Sequence, residues 1–178
     1  MDKHNPVTDS KSPYTKRLNR LFGKHKSEDG LELNYKVYHV IDINAFACAD
    51  GSVRVFSSLM DLMTDDELLA IIGHEIGHVK NEDTKDAIKS AYMRAAAQDA
   101  AGAASGAVRA LSDTELGEMA NAMLEAKHSK KQESQADEYA YNFMKKHGYN
   151  VVAVYTAFKK MALLSGGDTR SKFQKMMS

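Results

Sequence analysis

The chain has 178 residues, 43% of them hydrophobic, and its 24 basic and 24 acidic side chains leave a formal net charge of zero. That length supports one domain with a sizeable core, and the balanced charge offers no footprint for nucleic acid. Cys48 is the single cysteine, which excludes an intrachain disulfide, and no apolar run approaches the ~20 residues that a membrane-spanning helix needs.

Residues 1–12 are polar, contain Pro6, and read as a flexible N-terminal arm with neither the apolar stretch of a secretory signal nor a lipidation cysteine. Ser12 and Pro13 form an N-cap and first-position pair for a helix reaching Phe22, which Gly23 ends. The polar stretch 24–30 reads as a turn, with His25 in solvent. Over 33–41 the sequence alternates and places Leu33, Tyr35, Val37 and Ile41 on one face of a strand. Two further apolar runs, at 45–49 and 53–56, meet across Asp50-Gly51, a strong hairpin signal. Together these strands predict a small antiparallel sheet. Its edge at Asn44, Ala45, Phe46 and Ala47 is a candidate for taking an extended peptide as an added strand, although a purely structural sheet would read the same way. A short helical piece then runs from Ser57.

The stretch 64–80, TDDELLAIIGHEIGHVK, reads as a capped amphipathic helix. Thr64 with Glu67 is a capping box, and Asp65, Asp66 and Glu67 set negative charge against the positive end of the helix dipole. Leu68, Leu69, Ile72, Ile76 and Val79 supply its buried stripe. The same helix carries His74, Glu75 and His78 as His-Glu-x-x-His. Histidines four apart lie one turn above each other, so both imidazoles can hold one zinc while Glu75 serves as general base for the activated water. Gly73 and Gly77 each cost about 1 kcal/mol against alanine within a helix, and they predict that another backbone packs closely on that side.

Beyond Lys80 the sequence stays polar and helical to about residue 98, passes a small-residue stretch near 100–108 that reads as a flexible loop or frayed helix, and enters a helix that a Ser112–Glu115 capping box opens. A further helix over 132–148 buries Ala136, Tyr139, Ala140, Phe143 and Met144 and ends at Gly148, with Glu133 and Asp137 at the border of that stripe. Asn150 caps the last helix, and 168–178 form a polar C-terminal tail, expected to be truncated. The organisation expected is therefore an arm over 1–12, one domain over 13–167, and the tail.

A catalytic zinc takes three protein ligands as a rule, and several residues compete for the third place. Asn81 and Thr84 stand where the metzincin pattern needs glycine and histidine. Glu82 lies on the same helix as the two histidines, and one straight helix does not fold three ligands around one ion. His128 would make a three-histidine site. Glu133 is favoured because a second helix can cross the first, and Asp137, one turn later, can accept a hydrogen bond from a ligand imidazole. Taken alone, the Glu133–Asp137 pair reads rather as an exposed acidic pair beside Lys130 and Lys131.

HEIGH at 74–78 and ESQAD at 133–137, with HSKKQ before the second and DINAFACADGSVRVFSSLMDLMT before the first, resemble the HtpX and CAAX-prenyl-endopeptidase family of zinc metallopeptidases. The likeness runs over about 14–164 and is nearest the soluble bacterial LoiP/BepA-like branch. It implies an α+β, mainly helical zincin-like domain acting as a gluzincin endopeptidase. One Zn2+ per chain would be held by His74, His78 and Glu133, with Glu75 as catalytic base and Asp137 beside the ligands. It also implies polypeptide substrates, unfolded or misfolded proteins of the bacterial cell envelope, and a periplasmic place, with a lipid anchor outside this chain compatible with it and a cytoplasmic place as the alternative. The branch usually continues into a His-Pro segment with a downstream arginine, which is not found before Ser178. The donor to the developing oxyanion is open between Tyr139, Tyr141 and His128. The rival reading is a latent or non-enzymatic zinc-bound chaperone-like module.

Overall fold

A computed structural model of the chain describes residue 2 and residues 5–83 and 128–164. The helical stretch expected to about residue 98, the loop near 100–108, the helix from Ser112 and the tail over 168–178 lie outside the described residues.

Helix α1 covers Pro13–Phe22, with the Ser12 hydroxyl accepting from the Tyr14 N–H and Gly23 as C-cap. It buries Leu18, Leu21 and Phe22. Arg17 and Arg20 on its other side reach Asp65 at 2.8 Å each, and the Arg17 guanidinium also donates to the Met60 and Met63 carbonyls. This ties α1 to the start of the helix that bears the His-Glu-x-x-His motif.

Strands β1 (Ser27–Glu28) and β2 (Leu31–Glu32) form a short hairpin that begins inside the stretch 24–30 expected as a plain turn and runs past it. Asp29 and Gly30 both have positive φ, 48° and 86°, as the tight turn between right-twisted strands demands. Strands β3 (Asn34–Tyr38), β4 (Ala45–Ala47) and β5 (Ser52–Phe56) form a second sheet in the order β3-β5-β4. The hairpin β4–β5 turns at Asp50-Gly51 as expected, with Gly51 at φ +80°. β3, however, pairs with β5 in parallel, so this sheet is mixed rather than wholly antiparallel. The cause lies in the connection over 39–44. The strand stops at Tyr38 because the His39 N–H donates to Pro6 and the Val40 carbonyl accepts from the Ser57 and Ser58 hydroxyls, so the chain leaves the sheet before returning as β4 on the far edge. Ile41, expected on the buried face, is accordingly 93% exposed, whereas Tyr38 is fully buried.

The arm expected to be loose is partly docked. Val7 bridges to Tyr38, the Thr8 N–H donates to Val37, and Asp2 pairs with Arg54 at 2.9 Å and accepts from Tyr38.

Helix α2 (Ser57–Leu62) leads into α3 (Asp65–Lys80), whose Thr64–Glu67 capping box is complete, each residue bonding the other's backbone N–H. The remaining helices among the described residues are α4 (Lys130–Lys146) and α5 (Val152–Leu164). The core lies between the sheet and α3 and is filled by Leu18, Phe22, Val37, Val53, Val55, Leu59, Leu68, Ile72 and Met144. Each such side chain contributes roughly 1.5–3 kcal/mol on burial. None of the described helices is long and apolar enough to cross a membrane.

Candidate active site

Two glycines decide how α4 meets α3. A Cβ on Gly77 would lie 3.1 Å from the Ala136 Cα and 3.0 Å from the Tyr139 Cβ, and one on Gly73 would lie 3.5 Å from the Ala140 Cα. Small residues thus face small residues across the crossing, which is the close backbone approach their spacing predicts. The same contact brings the first turn of α4, and Glu133 with it, over the histidines of α3.

His74 and His78 are both buried, and their Nε2 atoms stand 3.0 Å apart. Glu133 places Oε2 3.6 Å from His74 Nε2 and Oε1 3.7 Å from His78 Nε2. Each ring is turned by a carboxylate on its other nitrogen. His74 Nδ1–H donates to Asp137 Oδ1 at 2.9 Å, and His78 Nδ1–H donates to Asp83 Oδ2 at 2.8 Å. Both Nε2 lone pairs are thereby left facing Glu133, the tautomer that metal ligation requires. Burial alone would lower the His74 pKa, but Asp137, Glu75 and Glu133 outweigh it and raise it. Burial lowers the His78 pKa, against the pull of Asp83, and His74 and His128 lower it further.

The donor set suits zinc. Donor atoms of a tetrahedral centre with bonds of about 2.0–2.1 Å lie about 3.3 Å apart, and the three separations here fall on either side of that value. Two imidazoles and one carboxylate with an open fourth position form a catalytic rather than a closed structural set. His74, His78 and Glu133 together form one of the groups able to hold a metal ion among the described residues.

Glu75, on the same helix, lies against the sheet. Burial pushes its carboxyl up to about 7; Glu133 adds to the rise, while His74 and a hydrogen bond from the Ala47 N–H oppose it. That N–H belongs to the open edge of β4. Cys48 donates to Ser52 and Phe56 donates to Asn44, so the peptide groups of residues 44, 46 and 48 face β5, while those of Ala45 and Ala47 point away from it. The outer edge of β4, its Ala47 N–H bonded to Glu75 and its Ala45 N–H to the Asn44 side chain, therefore runs beside a carboxyl poised to gain or lose a proton near neutrality.

Asp83, which sequence reasoning passed over, is 3% exposed. The available signal was an aspartate five residues past the second histidine, just where α3 ends at Asn81 and Glu82 takes a positive φ of 60°, turning the chain back. Of the candidate oxyanion donors, Tyr139 is committed elsewhere: its hydroxyl donates to Asp29 at 2.7 Å. Tyr141 is exposed. His128 stacks on the His78 ring with centroids 3.9 Å apart, placing it at the site, and Phe158 of α5 packs on His74 at 4.9 Å.

The profile of Peptidase family M48 matches residues 16–177. The chain belongs to that family. Metalloprotease YcaL of Escherichia coli K12 is 40% identical over 174 residues, covering 97% of this chain and 68% of that protein. Metalloprotease LoiP of the same organism is 38% identical over 174 residues, with 97% and 69% covered. Protease HtpX of Haemophilus ducreyi is 43% identical over a shorter stretch of 51 residues, 26% of this chain and 18% of that one. This M48 domain is thus a zinc metalloendopeptidase whose motif helix and crossing α4 carry the features described above.

Proposed function

We propose that the domain hydrolyses peptide bonds of extended, unfolded polypeptides, with zinc held by His74, His78 and Glu133. Asp137 and Asp83 fix the ring orientations of the two histidines. Bound zinc would supply Lewis-acid polarisation of the scissile carbonyl and of the attacking water. Glu75 takes the proton of that water and returns it to the leaving amine, a task that suits a carboxyl whose pKa burial has brought up to about 7. Ala45 and Ala47 present the edge groups against which a substrate strand would lie, with Asn44 and Phe46 holding that edge to β5.

The observation that carries this reading is the Ala47 N–H bound to Glu75, because it joins the open strand edge to the base itself. Folded substrates cannot present a free strand to such an edge, which is why unfolded or misfolded chains are the class proposed. Their place in the bacterial envelope follows from the resemblance to the soluble envelope branch. A Glu75→Gln variant tests the reading: zinc content is expected to stay at the parent level while cleavage of an unfolded protein such as casein falls by at least 10³-fold, on the order of 4 kcal/mol. Parent-level cleavage by that variant would remove Glu75 as the base. A parent that holds zinc and binds unfolded chains without cutting them would favour the latent chaperone-like reading instead.

A further inference from the structure

A second group of ligating side chains stands at the far end of α4. The stretch 24–30 reads as a turn in the sequence, with His25 in solvent, yet His25 is 1% exposed and Glu28 5% exposed. His25 lies in the turn after α1, Glu28 in β1, and His147 is the C-cap of α4, so two pieces of chain far apart in sequence converge. One donor atom from each lies within 4.8 Å of the other two.

The hydrogen bonds within the group leave one buried nitrogen over. His25 Nδ1 meets Glu28 Oε1 at 2.6 Å, and His147 Nε2 lies 3.0 Å from the same oxygen. Despite that distance His147 Nε2 makes no hydrogen bond, and the atom is buried. A buried imidazole nitrogen without a hydrogen-bond partner, 3.0 Å from a carboxylate oxygen that already meets a second imidazole, belongs to a donor set that one shared ion would complete.

The surroundings hold the donors in place. The Tyr149 hydroxyl lies 2.7 Å from His25 Nε2, and Lys146 Nζ lies 3.2 Å from the second oxygen of Glu28. Burial lowers the His25 pKa against the opposing pull of Glu28. We propose that His25 Nδ1, Glu28 Oε1 and His147 Nε2 form a second binding site for a divalent transition cation of the zinc class, distinct from the His74–His78–Glu133 centre. The cation replaces the His25–Glu28 hydrogen bond. The proton on His25 moves to Nε2, where it is donated to the Tyr149 oxygen, so the tautomer changes with no net release of a proton. Its role is structural: it staples the α1–β1 turn to the C-terminal end of the helix whose first turn carries Glu133.

The test begins with a His74→Ala/His78→Ala variant, which removes the first centre, and uses Zn2+ alone as the probe. After stripping and dialysis against micromolar Zn2+, this variant is expected to retain one equivalent per chain and to melt at a higher temperature with Zn2+ than with chelator. Adding His147→Gln, a partly exposed position, is expected to abolish both the equivalent and the shift while leaving the circular dichroism of the metal-free protein unchanged. Co2+ gives a check that does not depend on the folding of the triple variant: the double variant should show the visible absorption of a tetrahedral Co2+ site. No zinc, no shift and no such absorption in the double variant would overturn the proposal. Zinc that survives the His147 substitution would overturn it equally. Because the first centre is absent throughout, neither result bears on the peptidase site.

Discussion

Gly77→Ala perturbs the contact on which the proposed zinc centre depends. An alanine there gains about 1 kcal/mol of helix propensity in α3. Against that gain, the new Cβ meets the Ala136 Cα at 3.1 Å, the Ala136 carbonyl oxygen at 3.3 Å and the Tyr139 Cβ at 3.0 Å. Two of those three atoms are backbone, so α4 can yield only by moving as a unit, and overpacking of this kind costs about 1–3 kcal/mol. The net expectation is a loss of about 1 kcal/mol, or about 2–4 °C in melting temperature for a chain of this length. Ala136 is one turn from Glu133, so the movement also carries that carboxylate away from the histidines, and zinc affinity is expected to fall on the order of 10-fold. Urea unfolding in the presence of chelator reads the stability, and chelator competition reads the zinc affinity. Gly73→Ala is the companion measurement: its nearest neighbour is the Phe143 ring at 3.1 Å, which can turn, and the Ala140 backbone is at 3.5 Å, so its stability should stay within about 1 kcal/mol of the parent. A Gly77→Ala variant as stable as the parent, with unchanged zinc affinity, would refute the close-crossing argument.

Asp83→Asn keeps the shape of the side chain but lets it present an N–H to His78 Nδ1, so zinc affinity should fall about 10- to 100-fold with little change in the metal-free fold; unchanged affinity would show that the 2.8 Å contact does not orient the ring. Glu67 makes stability depend on pH. Burial works to raise its pKa, but the Lys160 ammonium, the Thr64 N–H and nearby hydroxyls overcome this and hold the carboxyl at about 2 against an ordinary 4.5. A depressed folded-state pKa adds stability above pH 4.5 that is lost as pH falls toward 2, here about 3 kcal/mol. Urea midpoints at pH 6 and pH 3 should therefore differ less in Lys160→Met than in the parent, and equal differences would remove Lys160 as the cause. A substrate peptide N-methylated at alternate backbone nitrogens should inhibit cleavage much less than its parent if the Ala45–Ala47 edge pairs with it; equal inhibition would sink strand addition.

What was legible in the sequence was local. The Thr64–Glu67 box, the Asp50-Gly51 turn and the Ser12-Pro13 start each lie within four residues, and each stands where its chemistry requires. The glycine pair on α3 pointed to a non-local contact only because glycine inside a helix is costly enough to need a reason. Parallel pairing of β3 with β5 left no such mark, since the alternation over 33–41 is the same whichever way the partner runs. His25 was misread for a related reason: its neighbours are lysines and a serine, and the groups that bury it, Phe143, His147 and Tyr149, lie more than a hundred residues away. At the site, the two histidines and Glu75 follow from helical periodicity. Glu133 and Asp137 could be favoured only on the argument that a ligand from a crossing helix is needed, and Asp83 depends on how the chain turns after α3. The Ser129–Gln132 capping box, which starts α4 two residues earlier than expected, was a signal present and missed.

The measurement closest to the central claim is the number of zinc ions per chain, after metal-free preparation and reconstitution, in the parent and in Glu133→Ala. The two-helix centre predicts that the variant holds one equivalent fewer than the parent, or releases that equivalent to a chelator that leaves the parent loaded. An equal count at equal affinity would contradict it, because Glu133 would then stand beside the histidines without holding the metal.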